Sequence, residues 1–537
     1  MRSLLPLLLS GFAAASPVLF ARNNAPTVTI SNGTIEGVLL STFNQDAFLG
    51  IPYAQKPLGN LRLRRPRVLE QQYEGGVHEA KEYPKFCVGG ANAYDNFPYK
   101  ESEDCLYLNV VRPASTKEGD ALPVGFWIHG GGFSMGGSGD MRYNSSWLIE
   151  RSVEMEKPII FVSINYRTAA LGLMTSTSMK EVGEQNFGLY DQRLALQWVN
   201  ENIAAFGGDP SKVTIWGESA GASSVGYHLL GYGLTESPLF RGGILESGSP
   251  GLFQPKPTSS YDESFASFLE DTGCDSIDCV RGLSLETFNS TATKYRWGIV
   301  IDGQLVPKSP TEQVRNGEFV PAALLIGTNT DEGASFGASG INTTADLTSY
   351  LYGSYPTLSN STVDTLLSAY PDDPSLGCPF ETGDLVLPSG LQDKRAKAMA
   401  GDFSMHAGRR RLSQAMAEKD VPVYSYRFNQ PAQNSTVLQG VLHFVEVAYV
   451  FSVPNEYKTA NTLGNRPGDA ELAKLTTSQW VSFIHDLDPN NHGIENVPEW
   501  PDYRTAPSNF VATRHGSTVE ADDYRADGIA AMLAAAN

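Results

Sequence analysis

Six short segments of the chain are almost continuously apolar and rich in β-branched and aromatic residues. Such runs are typical of strands buried on both faces, which occur in parallel sheets covered by helices. Stretches of helical character separate them, so the pattern predicts an α/β fold with a largely parallel sheet. The predicted strands are 124–130, 159–166, 212–217, 242–247, 323–329 and 422–428.

The rest of the pattern adds detail to this α/β domain. The N-terminal segment TVTISNGTIEGV alternates apolar and polar residues around a turn, which predicts an antiparallel hairpin at the edge of the sheet. Segments 250–320 and 335–420 interrupt the strand rhythm and are predicted to be helical insertions around the functional site. Neither a repeat nor a low-complexity linker divides the chain, so residues 16–537 are predicted to form a single domain.

The first residues have the pattern of a secretory signal peptide. One basic residue precedes an apolar run and small residues, and cleavage after residue 15 is expected. This apolar run is too short to span a membrane, and no later segment reaches 18 consecutive apolar residues. Secretion is therefore predicted, and the candidate glycosylation sites are Asn32, Asn144, Asn289, Asn342, Asn360 and Asn434.

Charge and cysteines restrict the function classes further. The net charge of −19 argues against binding to nucleic acid or to anionic lipid, and the short basic run 409–411 is interpreted as the surface of a helix. Five cysteines in a secreted chain allow two disulfides, and their spacing matches no zinc site. The economical local pairs are Cys87 with Cys105 and Cys274 with Cys279, which leaves Cys378 as a buried, inert thiol.

Three serines lie in a Gly-x-Ser-x-Gly pattern, the signature of the strand-to-helix turn that carries the nucleophile of many serine hydrolases: Ser134, Ser219 and Ser335. Only Ser219 has the required context, because the strand VTIW precedes it and the small-residue helix AGASSVGYHLL follows. Ser134 follows a strand but precedes no helical pattern, and Ser335 lies in a segment of loop composition. Ser219 is therefore the predicted nucleophile.

The glycine run HGGGF ends the predicted strand 124–130. Such a loop exposes backbone N–H groups, which stabilise the oxyanion of a tetrahedral intermediate together with the N–H that follows the nucleophile. A flexible turn is the simpler interpretation of the same run. Its position at a strand end before the serine turn favours an oxyanion hole.

A serine nucleophile needs a histidine base and a carboxylate that orients it, and both follow the serine in this type of fold. Asp331 and Glu332 come directly after the predicted strand 323–329. His443 follows strand 422–428 through a loop. The other histidines beyond residue 230 stay open as alternatives at this point: His406, His485, His492 and His515.

Seven motifs in this order resemble the type-B carboxylesterase/lipase family, which includes cholinesterases and fungal lipases of the Candida and Geotrichum type. The resemblance covers most of the chain and implies an α/β-hydrolase fold with helices on both faces of the sheet. The motifs are GIPYAQKPLGNLRLRRP (50–66), SEDCLYLNV (102–110), WIHGGGF (127–133), FGGDPSKVTIWGESAGA (206–222), LESGSP (245–250), GTNTDEG (327–333) and GVLHFVEVAYVF (440–451).

The resemblance also implies roles for individual residues. It makes Ser219 the nucleophile, Glu332 the acid and His443 the base, and it implies the local disulfides Cys87–Cys105 and Cys274–Cys279. It needs neither a metal nor an organic cofactor. The implied oxyanion hole consists of backbone N–H groups of Gly131, Gly132 and Ala220.

The loop between Cys87 and Cys105 departs from the relatives. In the interfacial lipases it is a long lid, whereas here 17 mostly polar residues lie between the two cysteines. Cholinesterases carry a tryptophan in this loop that binds a quaternary ammonium by cation–π attraction. This loop has Tyr94, Phe97 and Tyr99 instead, which we expect to pack locally, so a choline ester is not the expected substrate.

The sequence thus predicts a secreted serine esterase that acts on a small-molecule or lipid-like ester. A true lipase acting on long-chain acylglycerols or sterol esters is the main alternative. A non-catalytic binding protein on the same fold is a further alternative, although such relatives have lost a triad residue. Acyl chain length, alcohol preference and oligomeric state have no signal in the sequence.

Overall fold

A computed structural model describes residues 25–90, 99–232, 238–250, 255–454 and 463–536. The signal peptide predicted over residues 1–15, and Tyr94 and Phe97, lie outside these residues. The strands are β1 (Thr27–Ile30), β2 (Gly33–Glu36), β3 (Val38–Leu40), β4 (Gln45–Pro52), β5 (Val77–Glu79), β6 (Phe86–Cys87), β7 (Glu101–Ser102), β8 (Tyr107–Pro113), β9 (Leu122–Ile128), β10 (Ile160–Ile164), β11 (Gly208–Glu218), β12 (Gly242–Glu246), β13 (Ala323–Asn329), β14 (Val423–Phe428), β15 (Ser508–Ala512) and β16 (Thr518–Ala521).

Within the described residues the first α-helix follows β9; helices then separate the strands from β9 to β12 and occur in larger groups after β12 and β13. The α-helices are α1 (Ser146–Glu154), α2 (Ala169–Leu173), α3 (Thr177–Glu181), α4 (Phe187–Asn202), α5 (Ala220–Tyr232), α6 (Asp262–Thr272), α7 (Ile277–Arg281), α8 (Leu285–Ala292), α9 (Pro310–Asn316), α10 (Glu332–Phe336), α11 (Thr344–Ser354), α12 (Asn360–Ala369), α13 (Asp393–Gly401), α14 (Ala407–Glu418), α15 (Val447–Val450), α16 (Asp469–Asp486) and α17 (Ala526–Ala535).

The central sheet has eleven strands in the order β16-β15-β14-β13-β12-β11-β9-β10-β8-β4-β3. Neighbours from β15 to β10 pair in parallel, whereas β8, β4 and β3 at one end and β16 at the other pair antiparallel. The six predicted strands are β9 to β14, which form the parallel centre. The predicted α/β fold with a mostly parallel sheet is therefore confirmed.

Apolar cores on both faces of the sheet explain the continuous apolar runs. Phe126 and Ile128 of β9 belong to one core cluster, and Trp127 between them belongs to another. Successive side chains of a strand point to opposite faces, so a strand covered on both sides has no position for an exposed polar residue.

The hairpin and the insertions lie beside this sheet. β1 and β2 pair antiparallel, as predicted, but with β5 they form a separate small sheet instead of the edge of the central one. The two predicted insertions are helical and contain α6 to α9 and α11 to α14. The second has its own core, where Leu347, Leu351 and Leu366 join Ile529 and Met532 of α17.

The basic run 409–411 lies on α14, but it does not cover a surface. The Arg409 side chain is 1% exposed, and its guanidinium donates two hydrogen bonds of 2.5 and 2.7 Å to the carboxylate of Asp522. The interpretation of this run as a helix surface is wrong, because buried Asp522 supplies the charge that allows an arginine to be buried.

Candidate active site

Ser219 occupies a strained turn between β11 and α5. Its φ angle is 57°, in the left-handed region, and its backbone N–H donates to the carbonyl of Glu246 at 2.8 Å. The following turn packs tightly, since a Cβ on Gly221 would lie 2.0 Å from the carbonyl oxygen of Ile128. Only glycine allows this approach, which explains the glycine of the Gly-x-Ser-x-Gly pattern after the serine.

The glycine run after β9 lies against this turn. A Cβ on Gly130 would lie 3.1 Å from the Cβ of Ser219, so the run passes directly beside the serine. Gly131 and Gly132 have φ angles of +100° and +61°. The backbone therefore leaves the extended conformation at these two glycines, and their N–H groups no longer alternate as they do in a strand. Ala220 is the first residue of α5, where an N–H has no partner within the helix.

His443 contacts Glu332 and not the neighbouring Asp331. Nδ1 of His443 lies 2.7 Å from Oε2 of Glu332, and Oε1 of the same carboxylate accepts the backbone N–H of Asn329 at 2.8 Å. Asp331 turns the other way, where its two oxygens accept backbone N–H groups of Phe380 and Val441, both at 2.8 Å. The strand pattern did not distinguish Asp331 from Glu332. In the structure Glu332 contacts His443, whereas Asp331 binds backbone N–H groups.

Three of the four remaining candidate histidines form other side-chain contacts, and the fourth, His515, donates its backbone N–H to the hydroxyl of Thr513. His406 is buried and lies 2.9 Å from the hydroxyl of Thr328, and its pKa is lowered to about 3 mainly by burial. His485 contacts Asp486 at 2.6 Å, and His492 accepts the backbone N–H of Ile494. None of these pairs includes Ser219 or Glu332.

The two other serines of the Gly-x-Ser-x-Gly pattern lie near the site but lack the turn. The Ser134 hydroxyl donates to the carbonyl of Gly131 at 3.1 Å within the glycine run. The Ser335 hydroxyl accepts the backbone N–H of His443 at 3.3 Å from inside α10. Both serines therefore hold the backbone next to functional residues, and neither sits at a strand-to-helix turn.

Glu218 is a site residue that the sequence reading missed. Its Oε1 lies 3.1 Å from Nε2 of His443, without the alignment of a hydrogen bond, and its side chain is 1% exposed. Burial alone would lower the pKa of His443, but the charges of Glu218 and Glu332 outweigh it and raise this pKa. Burial alone would raise the pKa of Glu332, but His443 outweighs it and lowers the pKa of that carboxyl.

The sequence analysis also missed two further buried carboxyl groups, Glu246 and Glu446, which interact electrostatically with Glu218, Glu332 and His443. Oε1 of Glu246 accepts the indole N–H groups of Trp216 and Trp480 at 2.5 and 2.6 Å. Glu446 accepts from the side-chain amide of Asn329 at 2.5 Å. Burial and then the neighbouring carboxylates raise the pKa of Glu446 to about 7 and raise that of Glu246 well above its ordinary value.

Both local disulfides are present, and Tyr99 of the segment between Cys87 and Cys105 packs locally. Cys87–Cys105 and Cys274–Cys279 are disulfides with S–S distances of 2.05 and 2.08 Å, and Cys378 is a buried free thiol. Tyr99 stacks on Phe86, with ring centroids 4.4 Å apart, so its ring is engaged in local packing. Within the described ranges, no helix is long and apolar enough to cross a membrane.

Comparison with known proteins decides the family. A family model described as the carboxylesterase family matches residues 24–527. The chain belongs to the carboxylesterase family. Secreted triacylglycerol lipase LIP1 of Gibberella zeae is 34% identical over 96% of this chain and 91% of its own length. Lipase 5 of Diutina rugosa is 35% identical over 89% of both chains.

A solved structure agrees with this assignment. The crystal structure of Aspergillus niger EstA superposes with a TM-score of 0.84 at 28% sequence identity, and covers 95% of this chain and 98% of its own. The predicted family and fold are confirmed. The protein is a carboxylic ester hydrolase, as its family and its lipase relatives indicate.

Proposed function

We propose that the protein is a secreted serine esterase that works through an acyl-serine intermediate. The observation that carries the proposal is the contact of 2.7 Å between His443 and Glu332, with Ser219 on the strained turn beside the glycine run. In this proposal Ser219 is the nucleophile, His443 the base and Glu332 the acid. The N–H groups of Gly131, Gly132 and Ala220 form the oxyanion hole.

The reaction has two similar halves. Ser219 Oγ attacks the ester carbonyl while His443 Nε2 takes the hydroxyl proton, and the oxyanion forms opposite the three N–H groups. The protonated histidine then gives its proton to the leaving alcohol, and water repeats the sequence on the acyl-serine. Nε2 must exchange its contact with Glu218 for the serine hydroxyl, a change that often occurs only when substrate binds.

Secretion belongs to the same proposal. Residues 1–15 would be removed as a signal peptide, and residues 16–537 would form a single catalytic domain. The secreted relative from Gibberella zeae and the two disulfides support an extracellular location.

Soluble esters are the proposed substrates, and a true lipase is the second candidate. The names of the fungal relatives favour the lipase. The short, charged segment between Cys87 and Cys105 favours the esterase. The non-catalytic alternative is not favoured, because Ser219, Glu332 and His443 are all present and lie in one region.

The test is hydrolysis of 4-nitrophenyl esters from acetyl to palmitoyl by the wild type and by Ser219→Ala. We expect the variant to lose about 10³-fold or more in kcat/KM and to lose labelling by a fluorophosphonate probe. Ser134→Ala is the comparison variant and should keep the labelling and most of the activity, because its hydroxyl supports the glycine run without reacting. Loss of activity in Ser134→Ala or Ser335→Ala, with Ser219→Ala active, would refute the assignment.

A further inference from the structure

A cavity of about 430 Å³ opens beside the glycine run, and it contrasts with the acidic protein around it. Gly132 and Phe133 of the glycine run line it, together with the aromatic residues Tyr261, Tyr295 and Trp297. This volume is within the range of small-molecule sites. Gly132 also belongs to the proposed oxyanion hole, so this cavity adjoins the position at which the scissile carbonyl would bind.

Among the described residues that line the cavity, the charged ones are all positive. Lys256 and Arg296 line it, and no acidic side chain is among the described residues that do. Both cations are exposed, and neither makes a hydrogen bond or ion pair within the described part of the chain. Lys294, on the same segment as Arg296, instead contacts Asp271 at 2.8 Å, so the segment pairs one of its cations and leaves the other unpaired.

The two cations of the cavity stand in contrast to the strongly negative net charge of the chain. At −19 the protein as a whole repels anions, so a pocket for a neutral ester gains nothing from two cations in its lining. An anionic group at that position would be attracted locally, and the aromatic walls would bury the apolar part that joins it to the ester.

We infer that this enzyme acts on esters that carry a second, anionic group, a carboxylate separated from the scissile carbonyl by an apolar or aromatic spacer. Lys256 and Arg296 bind the anion, and the three aromatic rings bind the spacer. This inference rests on the proposed serine esterase function and specifies its substrate class.

The experiment compares matched charged and neutral esters. On the acyl side the pair is 4-nitrophenyl hydrogen adipate and 4-nitrophenyl hexanoate. On the alcohol side it is 4-acetoxybenzoate and methyl 4-acetoxybenzoate. The quantity measured is the ratio of kcat/KM for the charged ester to that for the neutral one, and the pair that responds shows which part of the substrate enters the cavity.

We expect Arg296→Gln to lower this ratio about 5-fold in one of the two pairs, the order expected for one partly exposed ion pair, and the double variant with Lys256→Gln to lower it further. Lys294→Gln is the matched control, because it removes a cation of the same segment that does not line the cavity, and its ratio should stay at the wild-type value. Added salt should lower the wild-type ratio by screening, which tests the charge effect without any substitution.

The inference is overturned if both ratios are the same in the double variant as in the wild type, or if the wild-type ratios do not respond to salt. These outcomes leave the esterase function intact when the neutral esters are still hydrolysed through Ser219. If neither charged nor neutral esters are hydrolysed in a Ser219-dependent way, the proposed function fails and the substrate class fails with it.

Discussion

Nε2 of His443 lies 3.1 Å from Oε1 of Glu218, the residue directly before Ser219. With Glu332 on Nδ1, the imidazole has a carboxyl group at each nitrogen. Both carboxyl groups, when ionised, favour the imidazolium form, which must appear when the ring takes a proton from serine; burial raises the pKa of Glu218 well above its ordinary value, and His443 opposes that shift. The two carboxyl groups also raise the pKa that must be exceeded before the free ring can act as a base.

Glu218→Gln should therefore shift the pH dependence of hydrolysis. Without the Glu218 charge the pKa of His443 falls, so the neutral ring persists to lower pH and the acidic limb of kcat/KM moves to lower pH. The measurement is a pH profile with a soluble 4-nitrophenyl ester. Glu418→Gln, on an exposed helix end, should leave the limb in place. A limb that stays or moves to higher pH in Glu218→Gln would contradict the electrostatic argument.

Asp331 and Glu332 should separate into a structural and a catalytic carboxylate. Glu332→Gln is expected to lower kcat/KM by roughly 10²-fold or more, though less than Ser219→Ala, because the acid orients His443 without taking its proton. It should still react slowly with a fluorophosphonate. Asp331→Asn weakens the acceptor of one buried and one partly buried N–H group and should lower the free energy of unfolding by about 1–3 kcal/mol.

Kinetics and thermal melts of the two variants decide between these roles. Asp331→Asn should melt earlier than the wild type and retain more activity than Glu332→Gln. If Asp331→Asn were the inactive variant and Glu332→Gln the active one, the acid of the triad would be misassigned.

The nucleophile could be predicted from the sequence, whereas the acid of the triad could not be predicted from local pattern. Ser219 was identifiable because strand, turn and helix are local and each has its own pattern. The choice between Asp331 and Glu332 depends on their contacts with residues more than 40 positions away, Phe380, Val441 and His443. No local pattern contains that information, and only the family resemblance favoured Glu332.

The buried carboxyl groups were missed for a different physical reason. Glutamates are rarely fully buried, so residue type gave no reason to single out Glu218, Glu246 and Glu446 as buried carboxyl groups. The available signal was their spacing, since Glu218 adjoins the serine and Glu446 comes three residues after His443. The partners that make their burial tolerable, such as the indoles of Trp216 and Trp480, come from distant segments.

Asn32 should not be glycosylated, although it begins a sequon. Its side-chain amide donates to the carbonyl oxygens of Leu69 and Gln71 at 2.8 and 3.0 Å, which uses both of its N–H bonds. A glycan replaces one of these hydrogens and would break a contact that ties the N-terminal hairpin to a distant loop. Asn434, in contrast, is exposed and makes no side-chain hydrogen bond within the described residues.

Mass spectrometry of glycopeptides from protein secreted by a eukaryotic host is the measurement. Occupied Asn434 with unoccupied Asn32 is the expected result. Asn434→Gln serves as the control and should remove its glycan without lowering the melting temperature, whereas Asn32→Gln should lower it. Full occupancy at Asn32 would contradict the prediction, since it would mean that the hairpin forms without one of these two bonds.

The enzyme should show no activation at an oil surface. A lid must move away from the site, but the described part of the segment before Cys105 is fixed to the body of the protein. Glu103 forms two hydrogen bonds of 2.6 and 2.7 Å with the nearly buried Arg62, and Asp104 pairs with Lys56 at 2.7 Å. Lifting this segment would separate a buried ion pair, which is costly.

We therefore expect the rate on short soluble esters to follow ordinary saturation, without a jump as the substrate passes its solubility limit. The measurement is specific activity on tributyrin across that limit and on emulsified long-chain triglyceride. Arg62→Lys gives a direct check of the anchoring, because lysine loses the two-bond geometry and should loosen the segment. Activation that appears only in Arg62→Lys would support the role of the ion pair. A several-fold rise in the wild type would contradict the prediction, and one of the helical insertions would then have to serve as the lid.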